Sequence, residues 1–248
     1  MDESSISKTR LHDEHSGMPS KDKGNYISIT QIFMKPLYVI NFKAYSESIG
    51  FRGLKIARII DKFARDYKQR VMIAVQPTDI ATISKAVKIP VLAEHIDNVE
   101  PGAKTGFITL DAVTKAGATG SLVNHSEHRI KPEDIKSVVA KLKANKKISI
   151  VCARTPKEGQ TLSRFKPDFV AVEPPALIGG NVSVSRARPN LISEGVKLSK
   201  VPLLVGAGVK SYEDVTKAIE LGAKGVLVAS GIVKARNIKS AMRKLTGF

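Results

Sequence analysis

Residues 169–181 read Phe-Val-Ala-Val-Glu-Pro-Pro-Ala-Leu-Ile-Gly-Gly-Asn. The first four residues are a short apolar run, typical of a buried strand, and the run ends on the carboxylate of Glu173. Pro174 and Pro175 stiffen the chain after this acid, because each ring fixes φ near about −65°. Two glycines at the far end permit positive φ. The pattern predicts either a lid that closes over Glu173 or an ordinary loop with a surface acid.

The same succession of an apolar run and an amphipathic helix repeats from residue 34 onward. The eight predicted strands are 37–41, 71–75, 91–94, 121–124, 148–152, 169–173, 203–206 and 226–229. The predicted helices are 53–67, 79–87, 111–116, 132–144, 156–165, 189–198, 211–221 and 237–245. Proline followed by two acids at Pro132, and a serine with an acid three residues later at Ser211, are typical helix starts.

Near-continuous apolar strands that alternate with helices indicate a parallel sheet whose faces are covered. Eight such units favour a single (β/α)₈ barrel over residues 35–248. An open doubly wound sheet is the alternative, although the dinucleotide-binding glycine pattern is missing after the first strand. Residues 1–34 are rich in Ser, Asp, Lys and Gly, and we expect them to form a disordered extension.

Composition predicts a soluble cytoplasmic protein. The chain of 248 residues contains one cysteine, Cys152, which excludes an internal disulfide framework and favours a reducing compartment. We expect this thiol to be a packed small hydrophobe and not a nucleophile. No apolar run approaches the roughly 18–20 residues of a membrane span. The first 34 residues also lack the apolar core of a signal peptide.

The net charge of +17 raises the question of nucleic-acid binding. The first 34 residues hold four basic and five acidic side chains, which leaves 36 basic and 18 acidic residues, or +18, on the remainder. These basic residues are spread along predicted helix faces, without a zinc-finger spacing, an RNP motif or a basic arm. We therefore expect no nucleic-acid partner, and a basic field that attracts a small anionic substrate explains the charge as well.

Polar side chains at the ends of strands one and four are candidate site residues, because the loops after barrel strands carry function. Asn41 and Lys43 project to the same side of the chain, as alternate residues do. His125 follows strand four, where a helical turn would lower its pKa and favour the neutral imidazole. Glu127 is placed to accept a hydrogen bond from Lys43 or Asn41.

The exits of strands seven and eight are built from small residues, Gly-Ala-Gly at 206–208 and Ala-Ser-Gly at 229–231. Small side chains let backbone N–H groups approach an anion, and these two exits are the usual phosphate site of such barrels. Other phosphate-binding barrels, such as those of tryptophan or histidine biosynthesis, share this feature. A catalytically dead barrel that acts as a nucleic-acid-binding or scaffold protein, suggested by the net charge of +17, is a second alternative.

Taken in order, the strand exits resemble the triosephosphate isomerase family, in its compact archaeal branch. The matching motifs are Asn-x-Lys after strand one, Asn-His-Ser-Glu-x-Arg after strand four, Val-Glu-Pro-Pro-x-x-Ile-Gly after strand six, Gly-Ala-Gly after strand seven and Ala-Ser-Gly after strand eight. The resemblance covers residues 35–248. It extends to residues 95–106, which are similar to the family's third loop, a segment that packs into a neighbouring subunit.

The resemblance implies an aldose–ketose isomerase that interconverts dihydroxyacetone phosphate and glyceraldehyde 3-phosphate through an enediolate, in glycolysis and gluconeogenesis. It implies catalytic roles for Glu173 as the base, His125 as the electrophile and Lys43 as a cation beside the substrate. It places Glu127 behind them. The implied substrate-binding positions are Asn41, Lys43, Ile178, Gly179, Gly208, Ala229, Ser230 and Gly231.

The resemblance also implies a homo-oligomer, either a tetramer or a dimer, and no metal or organic cofactor. Two departures from the family pattern lie in the lid. Ala176 stands where many archaeal relatives carry an acid, and Gly180-Asn181 stands where Thr-Gly is common. We expect the second change to loosen the exit hinge, whereas neither change alters an expected catalytic atom.

Overall fold

The computed structural model of the protein describes residues 35–177 and 183–248. Eight parallel strands form a closed barrel in chain order, and β1 pairs with β8 to complete it. The strands are β1 Leu37–Asn41, β2 Arg70–Val75, β3 Val91–Ala93, β4 Gly120–Val123, β5 Ile148–Ala153, β6 Phe169–Val172, β7 Leu203–Gly206 and β8 Gly225–Val228. The barrel is confirmed, and the open doubly wound sheet is excluded.

Helices follow the strands around the outside of the barrel. They are α1 Gly50–Asp66, α2 Ile80–Ala86, α3 Leu110–Lys115, α4 Pro132–Ala144, α5 Pro156–Ser163, α6 Val184–Ala187, α7 Pro189–Leu198, α8 Tyr212–Glu220, α9 Ser230–Val233 and α10 Ile238–Thr246. A 3₁₀ turn, Pro175–Leu177, follows β6. In the described part of the chain, no helix is long and apolar enough to cross a membrane.

The predicted elements are present, with ends displaced by a few residues at most. The predicted starts of α4 at Pro132 and of α8 at Ser211 are confirmed, and Ser211 forms a capping box with Asp214. Helices α6 and α9 were missed because four residues are too few to show a helical period. Residues 1–34, predicted to be disordered, lie outside the described residues.

Side chains alternate along each strand, and this divides the core into two parts. Leu37 and Val39 of β1 pack inside the barrel with Leu92, Leu122, Ile150, Cys152, Ala171, Leu204 and Leu227. Tyr38, Ile40 and Phe42 point outward and pack under the helices, so that Phe42 is fully buried there. Continuing the inner row by two residues from Val39 leads to Asn41, and from Ala171 to Glu173. The alternation therefore aims these two polar side chains at the mouth of the barrel.

Candidate active site

The carboxyl ends of the strands surround one cavity, as expected for a barrel of this kind. Eight of the predicted site residues line it, namely Asn41, Lys43, His125, Glu173, Gly208, Ala229, Ser230 and Gly231. Glu127 lies behind Lys43 and contacts it. The predicted binding positions Ile178 and Gly179, and the hinge at Gly180-Asn181, lie outside the described residues. The strand exits are thus brought together in the way that their motifs predict.

Glu173 is a carboxylate almost withdrawn from water. The residue is 7% exposed, and its Oε2 is buried without a hydrogen-bond partner. Burial raises the pKa of Glu173 to about 7, although the nearby Lys43 charge and a hydrogen bond from the Cys152 thiol lower it. A carboxylate with so few partners is a stronger proton acceptor than an exposed glutamate.

Cys152 lies directly below this acid, because the pairing of β5 with β6 sets it opposite Ala171. The thiol is free and buried, and burial raises its pKa well above the usual value. The neutral thiol therefore donates a weak hydrogen bond to Glu173 and does not act as a nucleophile. Sequence reasoning placed Cys152 near the site as packing and missed this contact.

Gly206, the last residue of β7, makes room for the Glu173 side chain. A Cβ at this position would lie 2.6 Å from Glu173 Cγ and 2.8 Å from Cδ, closer than side-chain carbons approach. Sequence reasoning treated this glycine only as part of an anion-binding turn. The inward direction of residue 206, two positions after the inner Leu204, was the available signal.

His125 faces Glu173, with 3.4 Å between His125 Nε2 and Glu173 Oε2. The preceding Asn124 is in the left-handed region at φ 62°, and its side chain donates to Cys152 O, which fixes the turn out of β4. His125 Nδ1 accepts a hydrogen bond from the backbone N–H of Glu127 at 3.2 Å. The proton of the neutral ring therefore resides on Nε2, the atom that points into the cavity.

Burial and, to a lesser extent, the positive charge of Lys43 lower the pKa of His125 to about 4, against the opposing effect of Glu127. The expectation of a neutral imidazole agrees with this shift. The predicted turn is present, with a hydrogen bond from His128 N to His125 O, but burial of the ring, and not the turn, is the main cause of the shift.

Lys43 is one of two lysines that line the cavity, the other being Lys210, and its charge acts on Glu173. Its backbone is in the left-handed region at φ 51°, held by a hydrogen bond from Lys43 N to Asn41 Oδ1. Its ammonium lies 2.6 Å from Glu127 Oε1, and the side chain is only 11% exposed. A non-glycine residue in this conformation costs energy, which is typical of a position under functional constraint.

The exits of β7 and β8 present backbone to the cavity. Ala207 and Gly208 both have positive φ, and helix α9 begins at Ser230 on the cavity wall. The first N–H groups of a helix have no acceptor within it, so they are suited to bind an anion. No group of three or more His, Cys, Asp or Glu side chains suited to hold a metal occurs among residues 35–177 and 183–248.

Buried Asp214 ties the chain beyond residue 182 to the exit of β7. One of its oxygens accepts from Ser183 and Arg186, at 2.7 Å each, and the other from the backbone N–H groups of Lys210 and Ser211. Val184 N also donates to Ala207 O at 3.1 Å. The far end of the lid segment is therefore anchored beside the predicted phosphate site.

A sequence profile described as triosephosphate isomerase matches residues 36–245. The chain belongs to the triosephosphate isomerase family. The triosephosphate isomerase of Methanothermus fervidus is 44% identical over 216 residues, which cover 85% of this chain and 97% of that protein. That of Methanocaldococcus jannaschii is 43% identical over 217 residues, which cover 86% and 99%. These relatives confirm the archaeal type of triosephosphate isomerase that the strand exits resemble.

Two solved structures share the triosephosphate isomerase barrel at 18% identity, which shows the fold alone. Triosephosphate isomerase from Bartonella henselae aligns with a TM-score of 0.62, over 84% of this chain and 98% of that one. An N-acetylmannosamine-6-phosphate 2-epimerase from Clostridium perfringens aligns with a TM-score of 0.60, over 87% and 94%. The strand exits, and not the barrel, therefore distinguish the family.

We predict that Gly206→Ala displaces the Glu173 side chain, since the added methyl group would overlap it. A misplacement of about 1 Å costs on the order of a hundredfold in rate, so the isomerase kcat should fall by at least that factor. Steady-state kinetics measures this change. Gly159→Ala is the matched control, because its Cβ would lie 3.3 Å from Val170 Cγ1 on the outer face of the barrel. Equal activity of the two variants would contradict the prediction.

Proposed function

We propose that the chain interconverts dihydroxyacetone phosphate and glyceraldehyde 3-phosphate, with Glu173 as the base and His125 as the electrophile. The observation that carries this assignment is the desolvated carboxylate of Glu173 facing Nε2 of a neutral His125 at 3.4 Å. The family membership of the chain supports the substrate.

In the proposed reaction, the Glu173 carboxylate removes a proton from carbon one of dihydroxyacetone phosphate, and the electron pair of that C–H bond moves into an enediolate. His125 donates a hydrogen bond from Nε2–H to the carbonyl oxygen as negative charge develops there. Lys43 stabilises the same charge electrostatically, while Asn41 orients the lysine backbone. Glu173 then returns the proton to carbon two, while the hydroxyl proton on carbon one passes by way of His125 Nε2 to the oxygen of carbon two, and these two transfers give glyceraldehyde 3-phosphate.

The substrate phosphate is proposed to bind at the exits of β7 and β8, against Gly208 and the start of α9 at Ser230 and Gly231. The resemblance adds Ile178 and Gly179 to this site and makes residues 174–181 a lid. Closure of such a lid excludes water and protects the enediolate from loss of phosphate. The anchor at Asp214 gives the lid a fixed end from which to close.

We propose that residues 35–248 form the catalytic unit and that residues 1–34 are an extension of it, since no candidate site residue lies before Asn41. We also propose a cytoplasmic enzyme of glycolysis and gluconeogenesis. The single buried cysteine and the triosephosphate isomerases that the chain resembles support this location.

Glu173→Gln tests the function directly. Because an amide cannot accept the substrate proton, kcat should fall by on the order of a thousandfold or more in a coupled triose phosphate assay. Circular dichroism and the unfolding temperature should show that the fold is kept. The control Glu220→Gln makes the same change on an exposed helix end and should retain full activity, as should the chain without residues 1–33. A folded wild-type protein without turnover would refute the assignment.

The pH dependence of kcat/KM is expected to report the ionisation of Glu173 in the free enzyme. The pKa of this acid is raised to about 7, and only the carboxylate is a base. Therefore kcat/KM, corrected for ionisation of the substrate, should be high above pH 7 and fall about tenfold for each unit well below it. A profile that stays flat down to pH 5 would contradict the role of Glu173.

We propose that the protein is a homo-oligomer, a tetramer or a dimer, in which residues 95–106 pack against a second copy. Phe107, at the end of this segment, is 52% exposed, although large aromatic side chains are usually covered. The base of the segment is held by Asp97, which accepts from the backbone of Ile108 at 2.7 Å.

Phe107→Ser should weaken this assembly, since buried aromatic side chains contribute much of the energy of an interface. We expect the dissociation constant from sedimentation velocity to rise by at least about tenfold. Ile59→Ser removes an exposed apolar side chain from α1, far along the chain from this segment, and should leave the assembly unchanged. An assembly unaffected by Phe107→Ser would exclude this face as the contact.

A further inference from the structure

Glu94 is a second acid at the mouth of the barrel, half-buried, and the proposed reaction does not use it. It follows β3 directly and lies two residues after the inner Leu92, so the alternation aims it inward. Its Oε1 is buried without a hydrogen-bond partner. A carboxyl oxygen in that state calls for an explanation, because buried polar atoms are generally paired.

Three charged side chains from three different strand exits face Glu94. They are Lys43 after β1, Glu127 after β4 and Asp79 before α2. Glu127 already holds the Lys43 ammonium at 2.6 Å, and Asp79 accepts the backbone N–H of Gly50 at 2.9 Å. In the described part of the chain, Lys43 is the cation whose charge acts on Glu94, and its ammonium is already paired with Glu127.

The surroundings of Glu94 disfavour its ionised form. Burial raises the pKa of Glu94 to about 7, and the charges of Glu127 and Asp79 act in the same direction. The backbone N–H and the ammonium of Lys43 lower it, but by less. An ionised Glu94 would bring a second carboxylate to the same lysine in a desolvated place, which is costly.

Resting on the proposed function, we propose that Glu94 is a positioning residue for Lys43. As a neutral acid, Glu94 does not attract the Lys43 ammonium, which then pairs with Glu127 and with the substrate. As a carboxylate, it competes for that ammonium and draws it away from the substrate. Glu94 then acts through Lys43 and does not contact the substrate. Its ionisation lowers the affinity for the substrate at alkaline pH.

The test compares wild-type protein with Glu94→Gln, because glutamine keeps the shape of the side chain and cannot ionise. Glu220→Gln is again the matched control. The measurement is kcat and KM for glyceraldehyde 3-phosphate from pH 6 to pH 9. Ionisation of the substrate and of Glu173 affects both proteins alike, so it cancels in the ratio of their constants at each pH.

We expect equal KM values for wild type and Glu94→Gln at pH 6, and a wild-type KM about tenfold higher at pH 9. Loss of a hydrogen bond to a charged group has an effect of this size. The wild-type kcat should also fall relative to that of Glu94→Gln between pH 6 and pH 9, because the displaced Lys43 is the cation proposed to stabilise the enediolate. A KM ratio that stays constant with pH would overturn the proposal, whatever its absolute value.

Thermal unfolding gives a second reading that does not depend on turnover. An acid whose pKa is raised in the folded state contributes stability that is complete below about pH 4.5 and is lost as pH rises through about 7. Glu94→Gln should therefore match wild type at pH 4 and unfold about 5 °C or more above it at pH 8. An equal difference at both pH values would overturn the neutral state of Glu94, and absent wild-type turnover would instead refute the proposed function.

Discussion

The structure of the site depends on one unfavourable arrangement, the buried carboxylate of Glu173. Burying an ionised acid without water or a full set of hydrogen-bond donors is unfavourable, so the stability of the surrounding fold must outweigh that penalty. Gly206 leaves the space for its side chain, and the Cys152 thiol donates one weak hydrogen bond from below. The eight-stranded barrel holds all three at strand ends, so their backbone positions are fixed relative to one another.

The charge state of the neighbours follows from this burial. A protonated His125 at 3.4 Å would form an ion pair with Glu173 and make it a weaker base. The backbone N–H of Glu127 prevents this by occupying Nδ1, while burial and the Lys43 ammonium oppose a second proton. Glu127 in turn neutralises part of the lysine charge. Glu173, His125 and Lys43, the proposed base, electrophile and cation, are therefore one coupled electrostatic unit, because the charge of Lys43 acts on both of the others.

The sequence predicted the barrel and most of this unit for a simple reason. The strand ends carry distinctive polar residues, and side-chain alternation determines which of them point inward, as for Asn41 and Glu173. What it did not predict depends on distances across the barrel. The role of Gly206 could be recognised only from the position of Glu173 at the end of the neighbouring strand. The role of Glu94 could be recognised only from three charges at three separate strand exits. Helices α6 and α9 span four residues each and show no periodicity. The cause of the His125 pKa shift required knowledge of its burial.

The large positive charge of the chain has a different role from that of Lys43. At physiological ionic strength, exposed charges are screened over about 8 Å, so lysines on the outer helices cannot stabilise an intermediate inside the mouth. They can raise the local concentration of an anionic substrate and its rate of encounter. Inside the cavity, the nearest cation is already shared with Glu127. Lys210 also lines the cavity, just after the exit of β7. A dianionic phosphate bound there would meet this lysine together with backbone N–H groups at the exits of β7 and β8, where residues as small as Gly208 and Gly231 leave those groups accessible.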